Sequence, residues 1–461
     1  MGIRLFCAIV VVLALLPPAV RAQEERSIGN FAGAGVRAMG MGGAYTGVAD
    51  DFTALYWNPA GLAQIRTNRV YTSVQRGSRS STADFLGKRA SSSLENTRFS
   101  AMGAVFPYPV YRGSLVFAAG MMRIKDFDWS LRQQGFDALE RLHTDFHFQH
   151  QGSVMLHGLA AAVDVSPSLS LGATVGFSRG DNEATNEWTY TDTENLYDVR
   201  RLLARDSFDD KYGTRFHAIL GAMLRMPRDA PRFRLGGTVA AGTSRKITYT
   251  FRGLSDPYAY NLIEFDDGSR LENVVIEPDG TFREVRMESF TDDYRLSLPM
   301  EFTVGASYEP ISGLLLAASA HYAEWTQASY KRQDQDDFRS NQFFDKQYRN
   351  VTRYHLGAEW RVPVIAAELR AGYYSDPLPF VGPRDPEWSP DPQENPEIDI
   401  QQDRRFFTAG AGLLLDQVLQ LDVAWTRGSF EQIEGYEPDG RPRLTENHTI
   451  TRLIASVAYR F

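Results

Sequence analysis

Cysteine is all but missing from this chain. The only one, Cys7, lies in an N-terminal stretch that reads as a secretory leader, so the mature protein is expected to have none. That excludes disulfides, cysteine metal sites and thiol chemistry. Arg4 supplies a positive start, Leu5 to Leu16 an apolar middle, and Val20-Arg21-Ala22 a small-residue cleavage site before Gln23; residues 1–22 are expected to be removed. Cys7 falls too early for a lipoprotein cysteine. Pro17-Pro18 ends the apolar run before it reaches the roughly 20 residues of a spanning helix.

Long apolar runs are missing too. No later segment approaches about 18 consecutive apolar residues, which excludes a helical membrane protein but not a membrane barrel, whose strands bury only alternate residues in lipid. Catalytic signatures are absent: there is no GxSxG, HExxH, P-loop or dinucleotide fingerprint, so the chain reads as non-enzymatic and without a cofactor. A net charge of −8 argues against a nucleic-acid partner. The 461 residues would ordinarily suggest several domains, yet no linker or composition break divides them.

What the chain does have is alternation. From Tyr294 to Tyr308 the even positions are apolar or aromatic: Tyr294, Leu296, Leu298, Met300, Phe302, Val304, Ala306 and Tyr308. As one strand this run would be about 50 Å long, and Pro299, which cannot donate to a ladder, predicts a bulge in it. Such segments number fourteen, near 68–75, 98–107, 113–124, 152–165, 169–180, 214–227, 232–250, 294–309, 311–325, 350–362, 366–375, 404–416, 418–428 and 449–461. Connections after even-numbered segments are short and turn-like. Those after odd-numbered ones are long: 76–97, 125–151, 181–213, 251–293, 326–349, 376–403 and 429–448. An all-β, 14-stranded antiparallel transmembrane β-barrel requires this alternation, with short periplasmic turns and long external loops. The last segment ends on Phe461, resembling the terminal strand by which Gram-negative outer-membrane barrels are recognised, so the cell outer membrane is the expected location.

Before the strands lies a Gly- and Ala-rich stretch, Arg37 to Ile65, without strand alternation. Asp50-Asp51 can cap a turn through Phe52 to Trp57, and Asn58 before Pro59 is an N-cap with proline at the first helical position. Two readings stand for it: a plug inside the barrel, or an ordinary N-terminal loop and helix. The run Gly40 to Ala63, with Asn58, Pro59, Ala60 and Gly61, resembles the N-terminal hatch of the FadL/TodX long-chain fatty acid transporter family. The resemblance implies a fourteen-stranded barrel (67–461) closed by a hatch (23–66) in its lumen. The same segment is similar to that of PorV-type barrels, which serve a protein secretion system.

Parity places Glu301, Arg353, Glu359, Arg361, Glu368 and Arg370 in the lumen, where they either dock the hatch or brace the wall. Arg361 and Arg370 are expected to meet Asp50 or Asp51. In the third strand both faces are apolar, with Val116, Ala118, Gly120 and Met122 on one of them. In the family this chain resembles, the third strand kinks inward and opens a lateral gap, so Gly120 is a candidate window; packing against the plug is the alternative. His143, His147 and His150 have i, i+4, i+7 spacing and would share a helical face able to hold a metal, or are simply solvated loop residues. The acidic segment 251–293 is either a solvated loop or a bridge, through divalent cations, to lipopolysaccharide.

The expected function is an outer-membrane channel for passive uptake of hydrophobic small molecules such as long-chain fatty acids. Its partners would be that ligand, outer-membrane lipid and lipopolysaccharide. The alternative is a PorV-like barrel that binds a protein partner of a secretion machinery.

Overall fold

The computed structural model describes residues 31–138, 140–227, 232–332, 344, 348–363, 365–380, 398–400, 403–436 and 442–461. The expected leader and the start of the hatch lie outside the described residues. The described chain opens with α1 (Val36–Gly40), α2 (Ala54–Trp57) and a 3-10 turn, Pro59–Gln64. Asn58 caps that turn: its side-chain oxygen accepts from the Ala60 amide at 3.1 Å, with Pro59 at the first position. Asp51 caps the preceding one, accepting from the Thr53 amide at 2.7 Å.

Among the described residues strands follow, apart from a 3-10 turn at Trp325–Gln327: β1 (Arg69–Phe85), β2 (Lys88–Tyr108), β3 (Leu115–Asp126), β4 (Trp129–Asp137), β5 (Leu142–Asp164), β6 (Leu169–Thr191) and β7 (Val199–Met226). Next come β8 (Phe233–Ala240), β9 (Ser244–Leu254), β10 (Tyr260–Phe265), β11 (Arg270–Ile276), β12 (Phe282–Glu284), β13 (Met287–Ser297), β14 (Glu301–Ile311), β15 (Leu314–Ala323) and β16 (Ser329–Arg332). The chain ends with β17 (Val351–Arg361), β18 (Ala367–Pro377), β19 (Ile398–Ile400), β20 (Asp403–Leu415), β21 (Leu419–Tyr436) and β22 (Pro442–Arg460). Antiparallel ladders run β1–β2–β3–β5–β6–β7–β8–β14–β15–β17–β18–β20–β21–β22, and β22 pairs back to β1. The barrel is closed and has the fourteen staves expected.

One end carries short turns, such as 165–168, 312–313 and 416–418. Near that end the outward side chains form a belt of exposed apolar residues, among them Leu159, Leu171, Phe216, Leu235, Val304, Leu316, Leu356, Leu369, Val423 and Val457. At the other end the structure corrects the long loops. Most of segment 76–97 is a continuation of β1 and β2, which meet in a tight turn at Leu86-Gly87, both with positive φ. Segment 125–151 holds β4 and the first part of β5, where a loop with a helical histidine face was expected. β5 is 23 residues long and β7 is 28, far more than the roughly 9–11 that cross a membrane. Beyond the belt, Ser78–Thr82 of β1 is polar on both faces, so the hydropathy alternation fades there while the ladder continues. A second core fills the far end, with Leu131, Phe146, Phe148, Leu202, Tyr260, Ile263 and Val274 buried together. β10 and β11 fold onto β7 to complete it.

The bulge expected at Pro299 is a change of face. Met300, Phe302, Val304 and Tyr308 are exposed on the outside, whereas Leu296 and Leu298 are buried on the inside. The neighbouring strand changes with it. Leu235 and Val239 face out in β8, but Arg245 and Ile247 face in on β9. The registers on either side of the break agree: Glu301 pairs with Ala240, and Ser297 with Ser244.

Candidate ligand site between the hatch and the wall

Residues 31–65 fill the lumen. Their irregular backbone leaves carbonyls that must find partners once buried, and inward side chains around the barrel supply them. Thr174 donates to the Leu55 carbonyl at 2.8 Å, Ser307 to Gly47 at 2.9 Å, and Thr408 to Gly40 at 3.0 Å. The Arg452 guanidinium donates to the Phe31 and Ala32 carbonyls, both at 3.2 Å. His355 Nδ1 lies 2.8 Å from the Gly42 carbonyl. Of the motif residues, Asn58 does most of the joining. Its side-chain amide donates to Thr46 in the hatch at 2.9 Å and to Ala222 in the wall at 3.1 Å. Pro59 and Ala60 press on Gly172, where a Cβ would meet the Ala60 nitrogen at 2.4 Å; Gly61 packs on Ala49 within the hatch.

The inward charges dock the hatch through a different pair from the one expected. Arg37, from the hatch, is the docking cation; it pairs with Glu359 at 2.7 Å and with Asp50. Asp50 is thereby neutralised inside the hatch and does not reach Arg370 or Arg361. Burial alone would raise the Asp50 carboxyl, but the Arg37 guanidinium holds it below the usual range. Arg370 braces the wall, bridging Glu359 at 2.7 Å, Asp422 at 2.6 Å and Glu368. Arg361 is largely exposed, 3.6 Å from Glu368. Sequence reasoning missed Arg37 because the hatch has no period from which to read a direction.

The candidate window at Gly120 is not a gap. β3 is paired on both edges there, with Gly103 on one side and Gly158 on the other. Val116, Ala118 and Met122 are buried against the hatch, and the missing side chain of Gly120 accommodates Phe52. Strand three does part from β2, but later: the ladder to β2 ends at Met122, while the ladder to β5 continues to Asp126. Its register slips between Arg123 and Lys125; Phe127 turns inward to stack on Tyr212 at 5.1 Å, and Phe31 pairs with Lys125. Among the described residues no ladder joins β2 before Ala101 to β3 or β4. Side chains close the seam: Arg98 pairs with Asp128 at 2.7 Å, and Arg123 donates to the Phe99 carbonyl at 3.1 Å.

The histidine triplet also resolves otherwise. His143, His147 and His150 lie on strand β5, so His150 points to the opposite face from the other two. His150 is buried against Trp129 and Phe208, while His143 meets Lys88 at 2.9 Å and His147 meets Ser130 at 3.2 Å. Among the described residues, no cluster of three or more His, Cys, Asp or Glu is placed to hold a metal.

Beside the hatch, a cavity of about 110 Å³ is enclosed by Phe31, Tyr56 and Trp57 on one side and by the wall on the other. The wall contributes Ile124, Lys125, Arg215, His217, Glu301, Trp325 and Arg353. Glu301 lies 2.8 Å from His321, and Arg353 donates to Asp376 at 2.6 Å while its guanidinium lies over the Phe31 ring. Four buried polar atoms on lining residues have no hydrogen-bond partner among the described residues: Trp325 Nε1, Arg353 Nη2, Ser319 Oγ and Thr46 Oγ1. Such atoms cost free energy when buried alone, and their convergence on one aromatic-walled space is what a ligand site provides. Glu301 and Arg353 were legible as lumen residues from parity. Trp325 was not, because it sits in a 3-10 turn, Trp325–Gln327, that leaves the strand period.

The architecture has close counterparts. A FadL homologue from Pseudomonas aeruginosa superposes with a TM-score of 0.58 at 17% identity, covering 94% of this chain and 99% of that one. The fold is that of the FadL and TodX channels. The Pseudomonas putida toluene transporter TodX superposes at 0.57 with 14% identity, covering 94% of this chain and 100% of its own. The Ralstonia pickettii toluene transporter TbuX superposes at 0.55 with 15% identity, covering 94% and 99%. No family model matches the sequence, and no curated protein matches it.

Proposed function

We propose that the protein is a passive channel in the outer membrane of a Gram-negative cell, admitting a hydrophobic small molecule that carries a polar or anionic head, such as a long-chain fatty acid. The belt of exposed apolar side chains is the surface that would face lipid. The cavity beside the hatch carries the reading. Its aromatic rings suit an apolar body, while Trp325 Nε1 and Arg353 Nη2 are donors waiting for an acceptor. Lys125 and Arg215 bring further positive charge. Ligand would leave the cavity past Ile124 and Lys125, where strand three slips its register on β5 and is no longer paired to β2. This use of an interior cavity favours transport over a secretion-partner role, which would need an outer docking face.

The test is quenching of tryptophan fluorescence in the purified protein by a brominated long-chain fatty acid, since Trp57 and Trp325 both line the cavity. Saturable quenching that disappears in a Trp57→Phe, Trp325→Phe variant supports the proposal. Quenching that is linear with concentration, or unchanged in that variant, rejects it.

A further inference from the structure

Three cations stand side by side on the outer surface of the wall. Lys246 on β9 is directly opposite Arg295 on β13, and Arg295 is directly opposite Lys331 on β16. All three side chains are exposed. Like charges facing one another across a ladder are destabilising. The neighbours only partly relieve this: Asp293 reaches Lys246 at 2.8 Å, and Arg295 donates to Ser244 Oγ at 3.3 Å. Among the described residues the row keeps an excess of positive charge.

The strand breaks are what turn these cations outward. Without the change of face at Ala241–Thr243 and Leu298–Met300, Lys246 and Arg295 would point into the lumen. Ile247 and Leu296, both now fully buried, would point out. The third strand changes face as well: Leu316 is exposed on β15, whereas Tyr330 on β16 packs on the interior core and Lys331 faces out. The row therefore lies immediately beyond the apolar belt, above Val239, Met300 and Phe302, on the side away from the short turns.

We propose that Lys246, Arg295 and Lys331 form a docking site for the phosphate-bearing headgroup of an outer-leaflet lipid. This rests on the placement of the belt in the outer membrane, which sets the row at the level of the outer headgroups. A guanidinium flanked by two ammonium groups matches the several anionic oxygens of a phosphate monoester through charge-assisted hydrogen bonds. The acyl chains attached to such a headgroup would run down the belt over Val239, Phe302 and Leu316.

The full-length protein in a zwitterionic detergent, titrated by native mass spectrometry with diphosphorylated lipid A and with its dephosphorylated form, tests this. The expected result is a preference of about tenfold or more for the phosphorylated lipid, lost in the Lys246→Gln, Arg295→Gln, Lys331→Gln variant. Should that variant fail to give a folded barrel, Arg295→Gln alone, at the centre of the row, should still lower the preference several-fold. An unchanged preference in a folded variant overturns the assignment, as does complete displacement of the lipid by millimolar inorganic phosphate, which would mark a free-anion site. Equal binding of both lipid forms overturns the phosphate assignment alone. Binding of neither overturns the membrane placement beneath it.

Discussion

Arg37 of the hatch and Glu359 of β17 are joined by two parallel hydrogen bonds, Nε to Oε2 at 2.7 Å and Nη2 to Oε1 at 2.8 Å. The same carboxylate accepts from Arg370 Nε at 2.7 Å, so the hatch enters the wall's own network of charge instead of merely resting against it. Removing Arg37 leaves Glu359 with Arg370 but takes the paired cation from Asp50, at a cost of up to about 3–5 kcal/mol. Arg37→Ala should therefore loosen the hatch while the ladders hold the barrel. Ion conductance in planar bilayers should rise above that of the wild type, and conductance equal to wild type would show that the hatch is held by other contacts.

Packing between hatch and wall should be exchangeable in volume. The atoms nearest a Cβ built on Gly158 belong to the Leu55 side chain, at 2.9 Å. Leu55→Ala should open a hole costing about 2–5 kcal/mol, and Gly158→Val should overpack by about 1–3 kcal/mol. The double variant adds carbons where the first removes them. Thermal unfolding of the double variant above either single one is the expected result; additive losses would mean that Leu55 and Gly158 do not share a space.

Orientation can be read with thiols, because the mature sequence is expected to offer none of its own. A cysteine at Asp267, in the exposed turn between β10 and β11, should react with an impermeant maleimide on intact cells. One at Pro167, in a short turn at the opposite end, should react only after lysis. Equal labelling of both in intact cells would contradict the assignment of short turns to the periplasm.

The parts of this fold that sequence reveals are those where one face of a strand is apolar and the other is not. Phe302, Val304 and Leu421 announced their strands for that reason, and the count of staves followed from the turns between them. Beyond the belt the same backbone geometry continues under Ser78–Thr82 and Ser91–Ser93 with polar residues on both faces, so hydropathy carries no period there and these stretches read as loop. The histidines of β5 misled because a helix and a strand both bring i and i+4 to one face; only His150, at i+7, separates the two. Within the site, inward wall residues such as Glu359 and Arg370 were readable by parity. Their true partner, Arg37, was not, since direction in an irregular hatch is set only by what it packs against.

Pro299 shows the limit of alternation most sharply. The even positions from Tyr294 to Tyr308 are apolar throughout, yet they lie on opposite faces: Leu296 and Leu298 enter the interior core, and Met300, Phe302 and Val304 face out. Pro299 is the extra residue that exchanges the faces. The adjoining strand carries a matching extra residue around Gly242, whose Cβ would meet the Leu298 carbonyl and the Pro299 backbone at 2.9 Å. Matched insertions leave the register equal on both sides of the break, as the pairs Glu301 with Ala240 and Ser297 with Ser244 record. Deleting Pro299 alone should shift β13 by one residue against β9 and turn every side chain above the break to the wrong face of its neighbour's pattern. Such a protein should fail to give the compact, heat-modifiable form of a closed barrel on gels. Deleting Gly242 as well removes the partner insertion and should restore that form at least in part. Pro299→Ala keeps the residue count and should assemble normally. Normal assembly of the single deletion, or no recovery in the double one, would show that the two insertions are not a matched pair.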